Sequence, residues 1–272
     1  MIFQNFGFNQ NYPIAASVGF DVDAQKFINA SGISGSNADA INTLVVSLKD
    51  YNLWNKFYVI YPFIGGTESS CKWNLVNTGS YTATFFNGVV FSNTGIQTDG
   101  VNDYMNTNYN ISDLTRGNSH VYLYKRTGRN TGDNIDFGAF DETAAFRGIL
   151  AATQLTTTLS RGRMYGTQMD NSAAPYTGSF MVTADSTHSS VYKGTTEVAT
   201  IALSNPGAIA SGSMVLGAMT RLQDPVTGPN YHIYFTSASY AFNSIGTHIS
   251  GSDLTNYYNT VQAYQTTLGR QV

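Results

Sequence analysis

Ile41, Leu44, Val45 and Leu48 recur at the i, i+3, i+4, i+7 spacing of a one-sided helix, with Asn42, Ser47 and Lys49 on the other face. Ser36 is placed to cap this helix, and Asp39 three residues on makes a variant of the capping box. A shorter helix precedes it: Asp21 caps, Ala24, Phe27 and Ile28 are apolar, and Gly32 ends it. At the far end Leu254, Tyr257, Tyr258, Val261, Tyr264 and Leu268 form a third stripe, with Ser252 as cap and Gly269 as stop. The stripe at 41–48 reads as packing surface rather than as a ligand groove.

Between these ends the period becomes that of strands. "KFYVIYPFIGG" is apolar on both faces and ends in a glycine pair, as a buried strand does. "TFFNGVVF" sets Asn87-Gly88 between aromatic and β-branched residues, the pattern of a two-residue hairpin. "SHVYLYKRTG", "GSFMVTA", "SSVYKGTTEVATIA", "SMVLGAM" and "NYHIYFTSASYAF" follow, separated by Gly, Asn, Pro and Ser. So many short strands predict an antiparallel sandwich or jelly roll, not βαβ units. The expected organisation is mainly β: an apolar arm at 1–20, a helical hairpin at 21–56, a sandwich at 57–249 and a C-terminal helix at 250–272 packed on it. The arm carries Phe3, Phe6, Phe8 and Tyr12 with no charge and no persistent period, so it must lie on its own domain or anchor to a partner.

Composition narrows the function classes. Only 11% of the 272 residues are charged, against about 25% in ordinary globular chains, yet 42% are hydrophobic, which is no disordered composition. The polar surface is therefore largely Asn, Ser, Thr and Gln. A net charge of -3 with no run of Lys or Arg excludes a phosphate-backbone partner. Cys71 is the sole cysteine, so no intrachain disulfide forms, which fits folding in a reducing cytoplasm. The first basic residue is Lys26, and no apolar run approaches the roughly 20 residues of a membrane span.

"IQTDGVNDY" at 96–104 gathers Asp99, Asn102 and Asp103 between expected strands. Asp-Gly supplies a positive φ, and Asn and Asp side chains bind nearby amides, so the stretch reads as a turn. Its ligand order is wrong for an EF-hand and no bidentate Glu follows; a looser calcium site on Asp99 and Asp103 is the alternative. No other cofactor is expected.

The same stretch resembles the "FDGvdDY" segment of laminin-G-like domains in the concanavalin A-like lectin/glucanase superfamily. "SVYKGTTEVAT" and "SMVLGAM" are similar to strands of that fold. Residues 23–75, from "DAQKFINASG" to "CKWNL", and the tail "LTNYYNTVQAYQTTLGRQV" resemble the ends of tailed-bacteriophage and prophage proteins, in which a helical hairpin precedes the sandwich and a helix ending in "LGR" follows it. The resemblance covers roughly residues 21–272 and leaves the arm without a counterpart. It implies a concanavalin A-like jelly roll in a structural protein of a phage virion: a fibre, tail appendage or capsid-surface decoration. Such a protein would be made in a bacterial cytoplasm and displayed on the virion surface. Its partners would be other virion proteins and copies of itself, with host surface glycans as possible ligands.

Candidate chemistry is sparse. Glycosidases of that superfamily carry carboxylates on alternate positions of one strand, whereas Glu68, Glu142 and Glu197 stand in no such run. "DNIDFGAFDE" offers Asp133, Asp136, Asp141 and Glu142 at loop-like spacing, which leaves a hydrolase only as an atypical alternative. His120, His188, His232 and His248 form no zinc motif, and no GxSxG elbow is present. The expectation is thus a protein without catalysis. Sugar binding needs aromatic faces and loop polar groups, and Tyr165, Tyr176, Asp136 and Phe140 are the candidates, set against the ordinary role of tyrosines as sandwich core.

Overall fold

The computed structural model describes residues 19–128, 134–141, 147–172, 176–204, 211–222 and 231–272. Phe3, Phe6, Phe8 and Tyr12 of the expected anchoring arm, with Asp133 and Glu142, lie outside the described residues. The chain is a sandwich of two β-sheets with a helical layer. Sheet A contains β1 (Phe57–Tyr61), β3 (Val90–Ser92), β4 (Gly95–Asp99), β6 (Ser119–Lys125), β11 (Gly178–Ala184), β12 (His188–Lys193), β13 (Thr196–Ala202) and β17 (Ser237–Gly246). Sheet B contains β2 (Thr84–Phe86), β5 (Tyr104–Asn110), β7 (Phe137–Asp141), β8 (Arg147–Ala152), β9 (Leu159–Met164), β10 (Thr167–Ser172), β14 (Ser213–Leu216), β15 (Met219–Leu222) and β16 (Tyr231–Ile233). Pairing is antiparallel except between β15 and β7. The order β13-β12-β11-β6-β17-β4-β3 in one sheet and β10-β9-β8-β7-β14-β5-β2 in the other is a jelly roll.

Alternation along each strand divides the apolar residues between two cores. On β6, Val121 and Leu123 face sheet B, while Tyr122 and Tyr124 face the helices. Phe180 and Val182 of β11 point inward, and Met181 outward. On β17 the register against β6 shifts between Tyr240 and Phe242, a bulge that carries Tyr240 into the inter-sheet core and Phe242 under the helices. Strands β1, β6, β11 and β17 of sheet A are thus buried on both faces, which is why their sequences read as continuous apolar runs.

The covering layer is α1 (Val22–Ser31), α2 (Ser36–Asp50) and α4 (Gly251–Thr267); the short α3 (Glu68–Cys71) follows β1. Ile41, Leu44, Val45 and Leu48 are buried as their spacing predicts, with Leu254, Tyr257, Val261 and Tyr264 from α4 in the same core. Asp21 caps α1 by accepting from the Asp23 amide at 2.9 Å. Ser36, expected as the cap of α2, is instead its first helical residue. Gly35 takes the cap position at φ 57°, ψ −139°, a conformation open to glycine that the short α1–α2 link demands. Ser252 likewise falls inside α4, whose cap is Ser250.

Arg270, the residue after the Gly269 stop, is fully buried. Gly269 N–H donates to Thr266 O and Arg270 N–H to Gln265 O, the paired bonds of a Schellman motif that turns the chain back inward. The guanidinium then donates to Phe63 O (2.6 Å), Pro62 O (2.7 Å), Ala241 O (3.0 Å) and Gln265 Oε1 (2.6 Å), and lies 5.1 Å from the Tyr264 ring centre. One side chain ties the C-terminal tail to the exit of β1 and to the bulge of β17.

Two local expectations change. Asn87 (φ 68°) and Gly88 (φ 131°) do form a turn, but β2 pairs with β5 in sheet B and β3 with β4 in sheet A. The pair carries the chain across the sandwich and does not close a hairpin. The 99–103 connection crosses too, from β4 in sheet A to β5 in sheet B. Asp99 Oδ1 accepts from the amides of Val101, Asn102 and Asp103, so the turn chemistry read from the sequence is what shapes it.

Arg270→Met should cost about 3 kcal/mol or more in urea unfolding, because buried carbonyls lose their donors. Arg270→Lys should recover only part of this, since an ammonium cannot fork across several carbonyls. A second expectation concerns acid. His120 is fully buried; its Nδ1–H donates to Thr247 O and its Nε2 accepts from Ser244, and burial pushes its pKa down to about 4. The unfolded chain takes up a proton near pH 6.5 that the folded chain refuses until about pH 4. Stability should therefore fall as pH drops through that window, by on the order of 3 kcal/mol from this residue. Burial shifts His232 and His248 in the same direction. Urea midpoints measured from pH 7 to 4 check the slope, and His120→Gln should flatten it.

Candidate functional site

The two sheets differ in what lies outside them. The helices cover sheet A, whereas the outer face of sheet B holds a depression of about 390 Å³. Its floor follows from strand alternation. Phe137 and Ala139 of β7 and Ile149 and Ala151 of β8 point into the inter-sheet core, so Phe140 and Leu150 point out. Ile135, Leu155, Leu159 and Met219 complete the floor, and Thr156, Arg161, Arg163 and Tyr234 form the rim.

Both arginines come from β9, two positions apart and therefore on one face. Arg161 forks onto Asp170 of the facing β10 position, Nε to Oδ1 at 2.6 Å and Nη2 to Oδ2 at 2.8 Å. That bond holds the Asp170 carboxyl below the ordinary carboxylate range. The Arg163 guanidinium lies 4.6 Å from the Phe140 ring centre and donates to Gln168 Oε1. Tyr234 is 40% exposed.

A smaller polar groove of about 210 Å³ lies elsewhere on sheet B, lined by Asn106, Asn110, Ser213, Thr220 and His232 among others. Asn106 and Asn110 alternate with the core residues Met105 and Tyr109 along β5. Thr220 Oγ1 donates to Ser213 O at 2.8 Å, so it accepts from His232 Nδ1 at 3.2 Å, which leaves Nε2 of the neutral ring as an acceptor. Burial lowers the His232 pKa, favouring that neutral form. Tyr104 stacks on Phe86 at 4.6 Å, with the His232 ring at 4.3 Å and the Phe235 ring at 6.3 Å.

Of the four sugar-binding candidates, the structure places Phe140 in the depression, largely buried in its floor. Tyr176 is half-buried and its hydroxyl donates to Thr157 O at 3.3 Å, beside the rim residue Thr156. Tyr165 is a correction. It sits in the two-residue turn between β9 and β10 with φ 55°, but its ring folds into the inter-sheet core, where the hydroxyl meets Ser119 Oγ and donates to Thr115 O. Asp136 is another. It is fully buried between the sheets, where it takes Lys125 Nζ (2.7 Å), the Tyr240 hydroxyl (2.8 Å) and the Thr153 amide (2.7 Å) and hydroxyl (2.8 Å).

That placement also bears on the hydrolase alternative. Asp136 is enclosed in its ion pair, and Asp141 is buried with Arg147 Nη2 3.1 Å from its Oδ2. Neither offers an open carboxylate to a sugar. Cys71 is buried, its Sγ 3.5 Å from Ile64 O, and burial pushes its thiol pKa up to about 11. Among the described residues no group of three or more His, Cys, Asp or Glu is placed to hold a metal. The sequence reading passed over Arg161, Arg163, Tyr234 and the His232 groove. The i, i+2 arginine pair in "LSRGRM" was the available signal, since both must share a strand face.

No family model and no curated protein sequence matches the chain. Solved structures do. Domain 4 of AbnA, a GH43 extracellular arabinanase from Geobacillus stearothermophilus, in complex with arabinotriose, superposes with a TM-score of 0.50 at 16% identity over 75% of this chain and 98% of that one. An HCR/D mutant superposes with a TM-score of 0.51 at 10% identity over 76% of this chain and 52% of that one. The Ruminococcus gnavus IT-sialidase CBM40 bound to alpha2,6 sialyllactose gives a TM-score of 0.40 at 13% identity over 55% of this chain and 91% of that one. The likeness to the first two is one of fold, a jelly-roll β-sandwich, to which this chain adds four α-helices among the described residues.

Proposed function

We propose that the chain is a non-catalytic carbohydrate-binding module that takes its glycan on the open face of sheet B. The observation that carries this reading is the asymmetry of the sandwich: the centre of one sheet is covered by helices, and the other sheet presents an apolar depression rimmed by two guanidinium groups and a half-open tyrosine. Sugar recognition asks for such a mixture. Apolar C–H faces rest on Tyr234 and the Phe140 edge of the floor, while Arg161, Arg163 and Thr156 supply groups for ring hydroxyls. The arabinotriose complex of a similarly folded domain supports the choice of ligand class.

The virion role is a second proposal. It rests on the resemblance of the helical ends to phage proteins, and one observation favours it: α1, α2 and α4, which carry that resemblance, fold into a single layer behind sheet A. In that setting the module would display sheet B outward to host surface glycans, anchored by residues 1–20 to virion proteins or to further copies of itself. Mass spectrometry of purified particles, with copy number, tests it; absence from every particle would remove it.

For the binding reading, a glycan array followed by calorimetry on the hits is the direct test. Tyr234→Ala should weaken binding about tenfold, the order of 1.4 kcal/mol, with the unfolding midpoint unchanged. A folded protein that binds no glycan on the array, or a Tyr234→Ala variant that binds as well as its parent, would put the ligand elsewhere.

A further inference from the structure

The β15–β16 ribbon carries a different chemistry on each of its faces. Met219 pairs with Ile233 and Thr220 with His232, so alternation gives the first pair to the apolar depression and the second to the polar groove of about 210 Å³. Much of that groove is spent on the fold: Asn110 Oδ1 accepts from the Ser112 amide and hydroxyl and from the Gly212 amide, and its Nδ2 donates to Ser211 Oγ. Two groups are left over, one of each kind. Asn106 Oδ1 takes the Asn108 amide at 2.8 Å, which fixes Nδ2 as a donor that meets no acceptor among the described residues. His232 Nδ1–H goes to Thr220 Oγ1, which leaves Nε2 as an acceptor that meets no donor among the described residues. Tyr104 precedes Asn106 by two positions on β5 and shares its face, with the Phe86 ring at 4.6 Å and the His232 ring at 4.3 Å. Two rings against it leave Tyr104 an edge to offer rather than an open face.

We propose that this groove is a second saccharide site, one that recognises the acetamido group of an N-acetylated sugar through Asn106 Nδ2 and His232 Nε2. A ring hydroxyl both donates and accepts, so it has no need of a fixed donor beside a fixed acceptor. An acetamido group uses each once: its carbonyl accepts from Asn106 and its N–H donates to His232. Its methyl packs at the Tyr104 edge, a surface that suits a methyl better than a whole sugar ring. A sugar lacking the group leaves both side chains unpaired, which is the basis on which such a site discriminates. Ser211 and Ser213 stand beside the pair for the neighbouring ring hydroxyls, and no Asp, Glu, Lys or Arg lines the groove among the described residues. The ligand is therefore a neutral N-acetylated sugar, which enters without leaving a charge unanswered. The site goes beyond the glycan reading of the apolar depression, shares no lining side chain with it, and stands or falls separately.

The test follows the imidazole nitrogen resonances of the full, isotope-labelled chain while N,N′-diacetylchitobiose is titrated at neutral pH. Cellobiose, which carries hydroxyls in place of the acetamido groups, is the counterpart. Diacetylchitobiose should shift the His232 Nε2 signal to saturation, and cellobiose should leave it in place. Asn106→Asp keeps an oxygen for the Asn108 amide and replaces the donor with a carboxylate oxygen, so it should weaken binding about tenfold, as should His232→Ala. Tyr234→Ala, at the other depression, should leave this binding unchanged. No shift at His232 with diacetylchitobiose overturns the site, as does undiminished binding by Asn106→Asp. A shift of equal size with cellobiose overturns the acetamido assignment, and a response to an acetyl-lysine peptide but not to the disaccharide overturns the choice of a sugar. Loss of this binding in Tyr234→Ala overturns its separation from the apolar depression.

Discussion

The Arg270 guanidinium sits where three layers of the molecule meet. Its bonds reach the carbonyls of Pro62 and Phe63, where the chain leaves β1, and of Ala241, at the bulge that moves β17 from one core to the other. A charge this deep is tolerated only because every face is answered: carbonyls in the plane, Gln265 at one edge and the Tyr264 ring alongside. The carbonyls are as dependent on the arginine as it is on them, since irregular backbone at a strand exit and at a bulge has no ladder partner. The tail therefore completes the packing of sheet A. The helical layer and the sandwich it covers consequently behave as one structure.

Covering the central strands of sheet A on both faces leaves sheet B with the open outer face. The floor of its depression is backed by a second buried polar cluster. Asp136 joins Lys125 of β6, Tyr240 of β17 and Thr153 just beyond β8, which fixes the register of the two sheets directly beneath Ile135, Phe140 and Leu150. A buried ion pair contributes little net stability, and its clearest use is to specify one arrangement over others. Here the arrangement it specifies is the spacing of the strands that carry the floor.

What could be read in the sequence followed how local each determinant was. The stripes at 41–48 and 254–268 were legible because helix burial depends on spacing alone, and both lie in the core beneath sheet A's helical cover. Asn87-Gly88 was legible as a turn, but which sheet receives each flanking strand is decided by β5 and β4, residues away in the chain and invisible to a local signal. One two-residue hairpin turn sits at Tyr165-Gly166, where an aromatic residue at φ 55° has no propensity to announce it. Its ring finds Ser119 and Thr115 across the sandwich, a tertiary preference that overrides local bias. Asp136 looked like a loop acid because the lysine that neutralises it lies on another strand.

The low charge of the chain acquires a physical meaning from this arrangement. Its few charges are largely used in structure: Lys125 and Asp136 inside the sandwich, Arg270 under the helices, Lys49 bridging Asp21 and Asp23 at the start of α1. Apart from Arg161 and Arg163, which are already engaged by Asp170 and Gln168, the two depressions on sheet B present uncharged groups, with Asn106, Asn110, Ser213 and Thr220 in one and an apolar floor in the other. Neutral polar groups on a rigid sheet bind a hydroxylated ligand without desolvating buried charge and with little side-chain freedom left to lose. Affinity for such a ligand is then set by the fit of the floor and rim rather than by long-range attraction, so it should be nearly indifferent to salt, in contrast to a surface built to hold phosphates.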